Sequence, residues 1–199
     1  DIDGEAVNDR SGYVISLSSD GSIVAITAPY NSGNGSASGH VRIYEYNNGT
    51  WNQLGNDIDG EAAFDYSNSL SLSNDGNTIA IGASDNDGNG NNSGHVRVYS
   101  YNGSSWNQLG NDIDGEATSD QSGDVQGVSI SADGNTLAIG ATGNDDNGNS
   151  SGHVRIYNWN GTSWSQIGQD IDGEEAVDWS GCSVSLSSDG QTVAIGAYG

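Results

Sequence analysis

The string D-I-D-G-E occurs four times, at Asp1, Asp57, Asp112 and Asp170, each time with a further Asp four residues after the Glu. Every copy therefore offers carboxylates at relative positions 1, 3, 5 and 9. The complete interior sets are Asp57, Asp59, Glu61 and Asp65, and Asp112, Asp114, Glu116 and Asp120. Alternating carboxylates on a flexible segment are the donors that a hard cation such as Ca²⁺ takes. Several anionic clusters in one chain also repel one another, and bound cations would relieve that repulsion. Against calcium stands the glycine, which occupies position 4 rather than the sharp turn after position 5. The plainer expectation is a solvated acidic turn leaving a strand, with its Ile packed inward.

Three histidines, His40, His95 and His153, stand two residues before Arg42, Arg97 and Arg155. A recurring His suggests a metal ligand, but equivalent positions in a repeat lie on different units and converge poorly on one ion. The expectation is structural: His caps a strand start and Arg pairs with a carboxylate of its own or the next unit. The loops 84–93 and 142–151 carry Asp85, Asp87 and Asn89, and Asp145, Asp146 and Asn147, whereas the matching first loop has no acid. They read as flexible surface loops. Trp51, Trp106 and Trp164 recur and are expected to pack between units, an exposed row of aromatics for sugar stacking being the alternative. Six N-x-[ST] sequons, at Asn34, Asn48, Asn91, Asn102, Asn149 and Asn160, read as two sets of three at equivalent loop and hairpin positions. In a glycosylating cell they would be decorated repeatedly.

Composition narrows the function classes. Twenty-seven acidic residues against four basic ones give a net charge of −23 over 199 residues, a field that repels nucleic acid and anionic membranes and attracts cations. No apolar stretch approaches a membrane span. The single cysteine, Cys182, has no partner in the chain for an internal disulfide. No nucleophile with its base, phosphate-cradling loop or paired catalytic acids interrupt the repetition.

The elements that must position these residues follow from the period. DIDGE recurs at steps of 56, 55 and 58, and the same order of motifs follows each copy. Self-similarity at this length belongs to propellers, solenoids and arrays. The spacing predicts four strands per unit. The first is VISLS (14–18), repeated at 70–73, 128–131 and 184–187, and a D-G turn follows it. The second is IVAITA (23–28), repeated as TIAIGA (78–83), TLAIGA (136–141) and TVAIGA (192–197). Such near-continuous apolar runs suit strands covered on both faces. The third is H-V-R-[IV]-Y (40–46, 95–101, 153–159). After an N-G link comes the fourth, starting at Trp51, Trp106 or Trp164. D-G and N-G between β-prone runs are tight-hairpin signals. The fold class is all-β, with four-stranded antiparallel repeat units of about 56 residues forming β-propeller blades. An open stacked array or a β-solenoid is the alternative.

The order [VI]SLSxDGxTVAIGA, then GHVRIY, then W resembles the FG-GAP repeats that build the integrin α-chain propeller, in their shorter bacterial form. The resemblance covers the whole chain and implies a non-enzymatic, extracellular adhesion module. Two departures qualify it. Ser11-Gly12 and Ser180-Gly181 replace the Phe-Gly of that family, and its calcium loop D-x-D-x-D-G-x-x-D is reduced here to a bare D-G turn. Calcium at that position is therefore not carried over.

The expected organisation is repeat 1 at 1–56, repeat 2 at 57–111, repeat 3 at 112–169 and the first half of a fourth at 170–199, a segment of a longer array. The expected function is a secreted or cell-surface adhesion or scaffold module without enzymatic activity. A structural subunit of a glycosylated filament or surface layer comes second and a carbohydrate-binding propeller third. A hydrolase that uses the propeller as scaffold is a distant fourth. Its partners would be other copies or further repeats of itself, extracellular proteins or glycans, with Ca²⁺ as the candidate ion; nucleic acid and membrane insertion are not expected.

Overall fold

The computed structural model describes residues 1–199, and every regular element in it is a strand. The first unit contains β1 (Ile15–Leu17), β2 (Ile23–Ala28), β3 (His40–Asn47), β4 (Thr50–Gln53) and β5 (Ile58–Asp59). The second contains β6 (Ser67–Leu72), β7 (Thr78–Ala83), β8 (His95–Tyr101), β9 (Trp106–Gln108) and β10 (Ile113–Asp114). The third contains β11 (Val128–Ile130), β12 (Thr136–Ala141), β13 (His153–Trp159), β14 (Trp164–Gln166) and β15 (Ile171–Asp172). A last hairpin pairs β16 (Ser183–Leu186) with β17 (Val193–Gly196). Each complete unit is a four-stranded antiparallel meander, which is how a propeller blade is built.

The DIDGE segment departs from expectation. The expectation is a turn, yet its second and third residues are strand: Ile58 and Asp59 pair with Val41 and His40, on the edge of β3 where β4 also pairs. β4 and β5 are thus one outer strand, interrupted by a bulge that sets Leu54, Gly55, Asn56 and Asp57 opposite Arg42 and Ile43. The inward Ile is what holds the segment to the sheet, since Ile58 and Ile113 are buried. The sheets accordingly run 15–59, 67–114 and 128–172, so the copies at Asp57, Asp112 and Asp170 each close the sheet before them rather than opening the next.

The core lies between units, as a near-continuous apolar second strand requires. Ile79 and Ile81 of β7 pack towards the first unit, with Ile23, Ile43 and Leu70, while Ala80 on the opposite face joins Val128, Leu137 and Ile139 of the third. Neighbouring sheets are also joined by a hydrogen-bonded line. The Ser19 amide donates to the Asn74 carbonyl, Asn74 to Ala132, and Ala132 to Ser188, at 2.9, 3.1 and 3.0 Å. Alongside it, the hydroxyls of Ser16, Ser71 and Ser129 accept the amides of Leu72, Ile130 and Leu186 in the following unit.

The S-x-D-G turn that carries this line is wider than a two-residue hairpin. Ser18 bonds Ile23 across four loop residues, and only Gly21 has positive φ, at 71°. The Asp20 carboxylate closes the loop, accepting from the Ser18 hydroxyl and the Ser22 amide at 2.7 and 2.9 Å. Ser73–Asp75, Ser131–Asp133 and Ser187–Asp189 repeat the device. Only the first N-G link is a two-residue turn, with Asn48 and Gly49 both at positive φ between the paired Asn47 and Thr50.

Candidate metal centres between successive units

Each third strand begins with a buried histidine, and the chain folds two different DIDGE copies around it. His40 Nδ1 lies 3.7 Å from Glu5 Oε2 and 3.7 Å from Asp57 Oδ2. His95 Nδ1 stands 3.7 Å from Glu61 and 3.9 Å from Asp112, and His153 Nδ1 3.9 Å from Glu116 and 3.7 Å from Asp170. Topology explains the convergence. The Asp sits in the outer-strand bulge of the histidine's own sheet, beside the start of the third strand. The Glu comes from the linker entering that sheet from the previous one. The three histidines do not meet one another, in keeping with the expectation, but each collects its own carboxylates.

The same geometry divides the carboxylates that the sequence grouped as calcium ligands. Of the set 57–65, Asp57 joins His40, Glu61 joins His95, and Asp65 is buried elsewhere. Asp65 accepts the Ala62 amide and the side-chain amide of Asn86 at 2.9 and 3.1 Å, and so ties the linker to the following loop. Asp120 does the same with Ala117 and Asn144. The set 112–120 splits likewise, Asp112 going to His95 and Glu116 to His153. Asp59 and Asp114 are exposed and serve through their carbonyls, which accept Arg97 and Arg155 Nη2 at 2.8 Å. One DIDGE copy thus serves two successive junctions.

The arginines complete each junction. Arg42, Arg97 and Arg155 are buried, and their Nη1 atoms lie 3.6, 3.6 and 3.3 Å from Oε1 of Glu5, Glu61 and Glu116. Arg42 Nη2 donates to the Asp3 carbonyl at 2.8 Å. The arginine therefore engages one oxygen of the Glu and leaves the other facing the histidine. Burial, opposed by Arg97, pushes the Glu61 carboxyl above its ordinary range.

The histidine is the anomaly. His95 and His153 are 1% and 0% exposed, and neither Nδ1 has a hydrogen-bond partner; His153 Nε2 has none either. Desolvation, reinforced by Arg97, lowers the His95 pKa to about 4, and desolvation also lowers that of His153. Burial thus favours the neutral form of both rings, and a neutral imidazole carries one lone pair able to take a metal. A nitrogen–oxygen gap of 3.7–3.9 Å is too long for a hydrogen bond. An ion roughly 2.1 Å from each ligand in tetrahedral geometry would hold them about 3.4 Å apart. A small inward movement converts the observed cluster into a coordination sphere, so the residues fit a metal.

The third junction has one ligand more. Asp146 joins Glu116, His153 and Asp170, where the corresponding loop positions are Gly33 and Gly88. The loops share a set of side-chain contacts. Asn31, Asn86 and Asn144 turn them by accepting the amides of Gly33, Gly88 and Asp146 at 2.8, 2.8 and 3.0 Å. Asn34, Asn89 and Asn147 then hold the following linker by donating to carbonyls such as those of Gly60, Gly115 and Gly173. That register corrects the sequon grouping: Asn34 corresponds to Asn89 and Asn147, not to Asn91 and Asn149. Asn48, Asn91, Asn102, Asn149 and Asn160 are all exposed. Trp106 and Trp164 reach back across the junctions, donating Nε1 to the carbonyls of Leu54 and Leu109 at 2.8 and 3.0 Å, while Trp51 stacks on Tyr46.

Sequence reasoning had the ligand types in view but not their grouping. The missing signal was the alternation itself, because each His follows one DIDGE and precedes the next by a constant interval.

Residues 116–157 match the family model of the FG-GAP repeat, a stretch that includes Glu116 and His153. No curated protein matches the sequence significantly. Among solved structures the chain is similar to TolB from Acinetobacter baumannii, with TM-score 0.51 and 15% identity over 91% of this chain and 36% of that one. It is also similar to a putative 6-phosphogluconolactonase from Bacteroides fragilis, with TM-score 0.51 and 14% identity over 81% of this chain and 39% of that one. A hypothetical selenium-binding protein from Sulfolobus tokodaii gives TM-score 0.53 and 14% identity over 81% of this chain and 41% of that one. The chain spans less than half the length of these structures. The likeness is one of fold, that of β-propeller-like repeats.

Proposed function

We propose that the chain is a non-enzymatic extracellular module for adhesion or scaffolding, built from FG-GAP-like blades. The observation that carries this reading is repetition: the buried Arg, His and carboxylate contacts recur in each of the three complete units. Catalysis places its machinery at one point, whereas here the same interface is made each time a unit is added. Each unit presents one face to its predecessor and a different face to its successor. Such a heterologous contact closes a ring if the rotation allows and otherwise extends a filament. Further repeats or other copies of the chain are thus its natural first partners. The acidic surface, the exposed sequons and the FG-GAP match at 116–157 support an extracellular setting. Fractionation of producing cells tests it. The protein should be found in the medium or on the surface, and a cytosolic pool alone would overturn the reading. Negative-stain micrographs separate the architectures, closed discs supporting the propeller and fibres the filament or surface layer.

A groove of about 470 Å³ favours a second reading, carbohydrate binding. Tyr13, Tyr30 and Tyr66 line it together with Asn68, Asp85 and Asp124, which combines aromatic faces with hydrogen-bonding groups. The recurrent tryptophans suit this role less, since two of them already donate across junctions. Saturable binding on a glycan array, lost in Tyr30→Ala, would support it, and binding unaffected by that substitution would dismiss it.

A further inference from the structure

We propose that each junction is a binding site for a divalent ion of the Zn²⁺ or Mn²⁺ kind, coordinated by a buried histidine and two carboxylates from successive DIDGE segments. The inference is independent of the adhesion reading. Three observations carry it. Clusters of one His and two or more carboxylates recur at three places, formed by Glu5, His40 and Asp57; by Glu61, His95 and Asp112; and by Glu116, Asp146, His153 and Asp170. In the second and third, the histidine is almost wholly buried, and its Nδ1 faces both carboxylates with no hydrogen bond made. Burying such a nitrogen unpaired is costly unless something satisfies it. The arginine does not, being engaged on a carbonyl and on the far oxygen of the Glu. A divalent ion would meet the imidazole lone pair, the free Glu oxygen and the Asp together.

The donor set selects the metal class. Calcium takes six to eight oxygens and has little use for imidazole. Each cluster offers three or four side-chain ligands, one of them a nitrogen. That is the set for zinc or manganese, with water completing the sphere. The fourth ligand at the third junction makes that site the tightest. Each ion would join a linker to the strand and outer edge of the sheet it enters, acting as a clip at one edge of the junction.

The chain contains three histidines and one cysteine, so histidine-dependent retention has few possible locations. The test is equilibrium dialysis of the whole chain against Zn²⁺, Mn²⁺ or Ca²⁺ in physiological salt with excess Mg²⁺, which saturates non-specific acidic sites. Bound metal is read by elemental analysis. Zn²⁺ or Mn²⁺ should be retained at up to three ions per chain, in preference to Ca²⁺, with a raised melting temperature that chelator reverses. His153→Gln should remove one ion. Asp146→Gly recreates the residue found in the other two loops and so should leave the fold intact. It should weaken the tightest site by roughly tenfold. Retention of neither Zn²⁺ nor Mn²⁺, retention unchanged by His153→Gln, or tightest-site affinity unchanged by Asp146→Gly would overturn the proposal. So would calcium bound in preference to both, because oxygen ligands alone would then account for the clusters.

Discussion

Each junction between units has two ends built on opposite principles. At the hairpin end, amide meets carbonyl in an unbroken line from Ser19 to Ser188, and serine hydroxyls accept the remaining amides over an apolar core. At the linker end, charge is concentrated and left incomplete: His95 Nδ1, His153 Nδ1, Arg97 Nε and Arg155 Nε are buried without partners. The first end is saturated and serves stability. The second keeps unused valence at His95 and His153, which is what a binding site requires. One repeat therefore separates holding from binding along a single interface.

The comparison is tested most severely at the saturated end. Leu137 is fully buried between the second and third units, and Leu137→Ala should cost about 2–5 kcal/mol in urea denaturation. A loss of a few tenths would show that the units do not depend on one another. At the linker end, Arg97→Ala removes a charge-assisted bond to the Asp59 carbonyl and should cost about 2 kcal/mol, much of the ion pair to half-exposed Glu61 being screened. An unmoved melting temperature would deny the arginine its role. Ser129→Ala deprives the Leu186 amide of its acceptor and should cost about 1 kcal/mol, with the metal stoichiometry unchanged. A change in stoichiometry would mean that the two ends are not separate.

The smallest effect is one of pH. The Ser22 amide, then the hydroxyls of Ser18 and Ser22, hold the Asp20 pKa at about 2, and bonds from Ser131 and Asn135 lower that of Asp133. A depressed carboxylate adds stability above its unfolded pKa of about 4 and loses it as pH falls through the folded value. The hairpin end should therefore weaken between about pH 4 and pH 2, and Asp133→Asn should flatten that fall measurably. An identical acid profile in the variant would contradict the assignment.

Much of this was legible in the sequence, for identifiable reasons. Second and third strands were found almost to the residue, because TIAIGA is a near-continuous apolar run and H-V-R-[IV]-Y is a β-prone alternation that starts just after a glycine. The acidic segment was misread because its strand is only two residues long and follows a bulge, a shape with no hydrophobic period to betray it. Gly115 shows the same limit. Its Cβ would overlap the Ser93 carbonyl oxygen, so the DIDGE glycine serves close packing rather than a calcium turn. The grouping of Glu61 with Asp112 instead of Asp57 is a tertiary fact. Local spacing favours carboxylates of one copy, whereas the outer-strand bulge and the linker hand them to different histidines.

The most direct measurement is an anomalous difference map, collected at the absorption edge of zinc or manganese from a crystal of the whole chain grown with that ion. The account predicts three peaks, one against Nδ1 of each of His40, His95 and His153 and between its two carboxylates, with the strongest at Asp146, and none at the hairpin turns. A map without peaks at the histidines, or with peaks at Asp20, Asp75 and Asp133 instead, would contradict it.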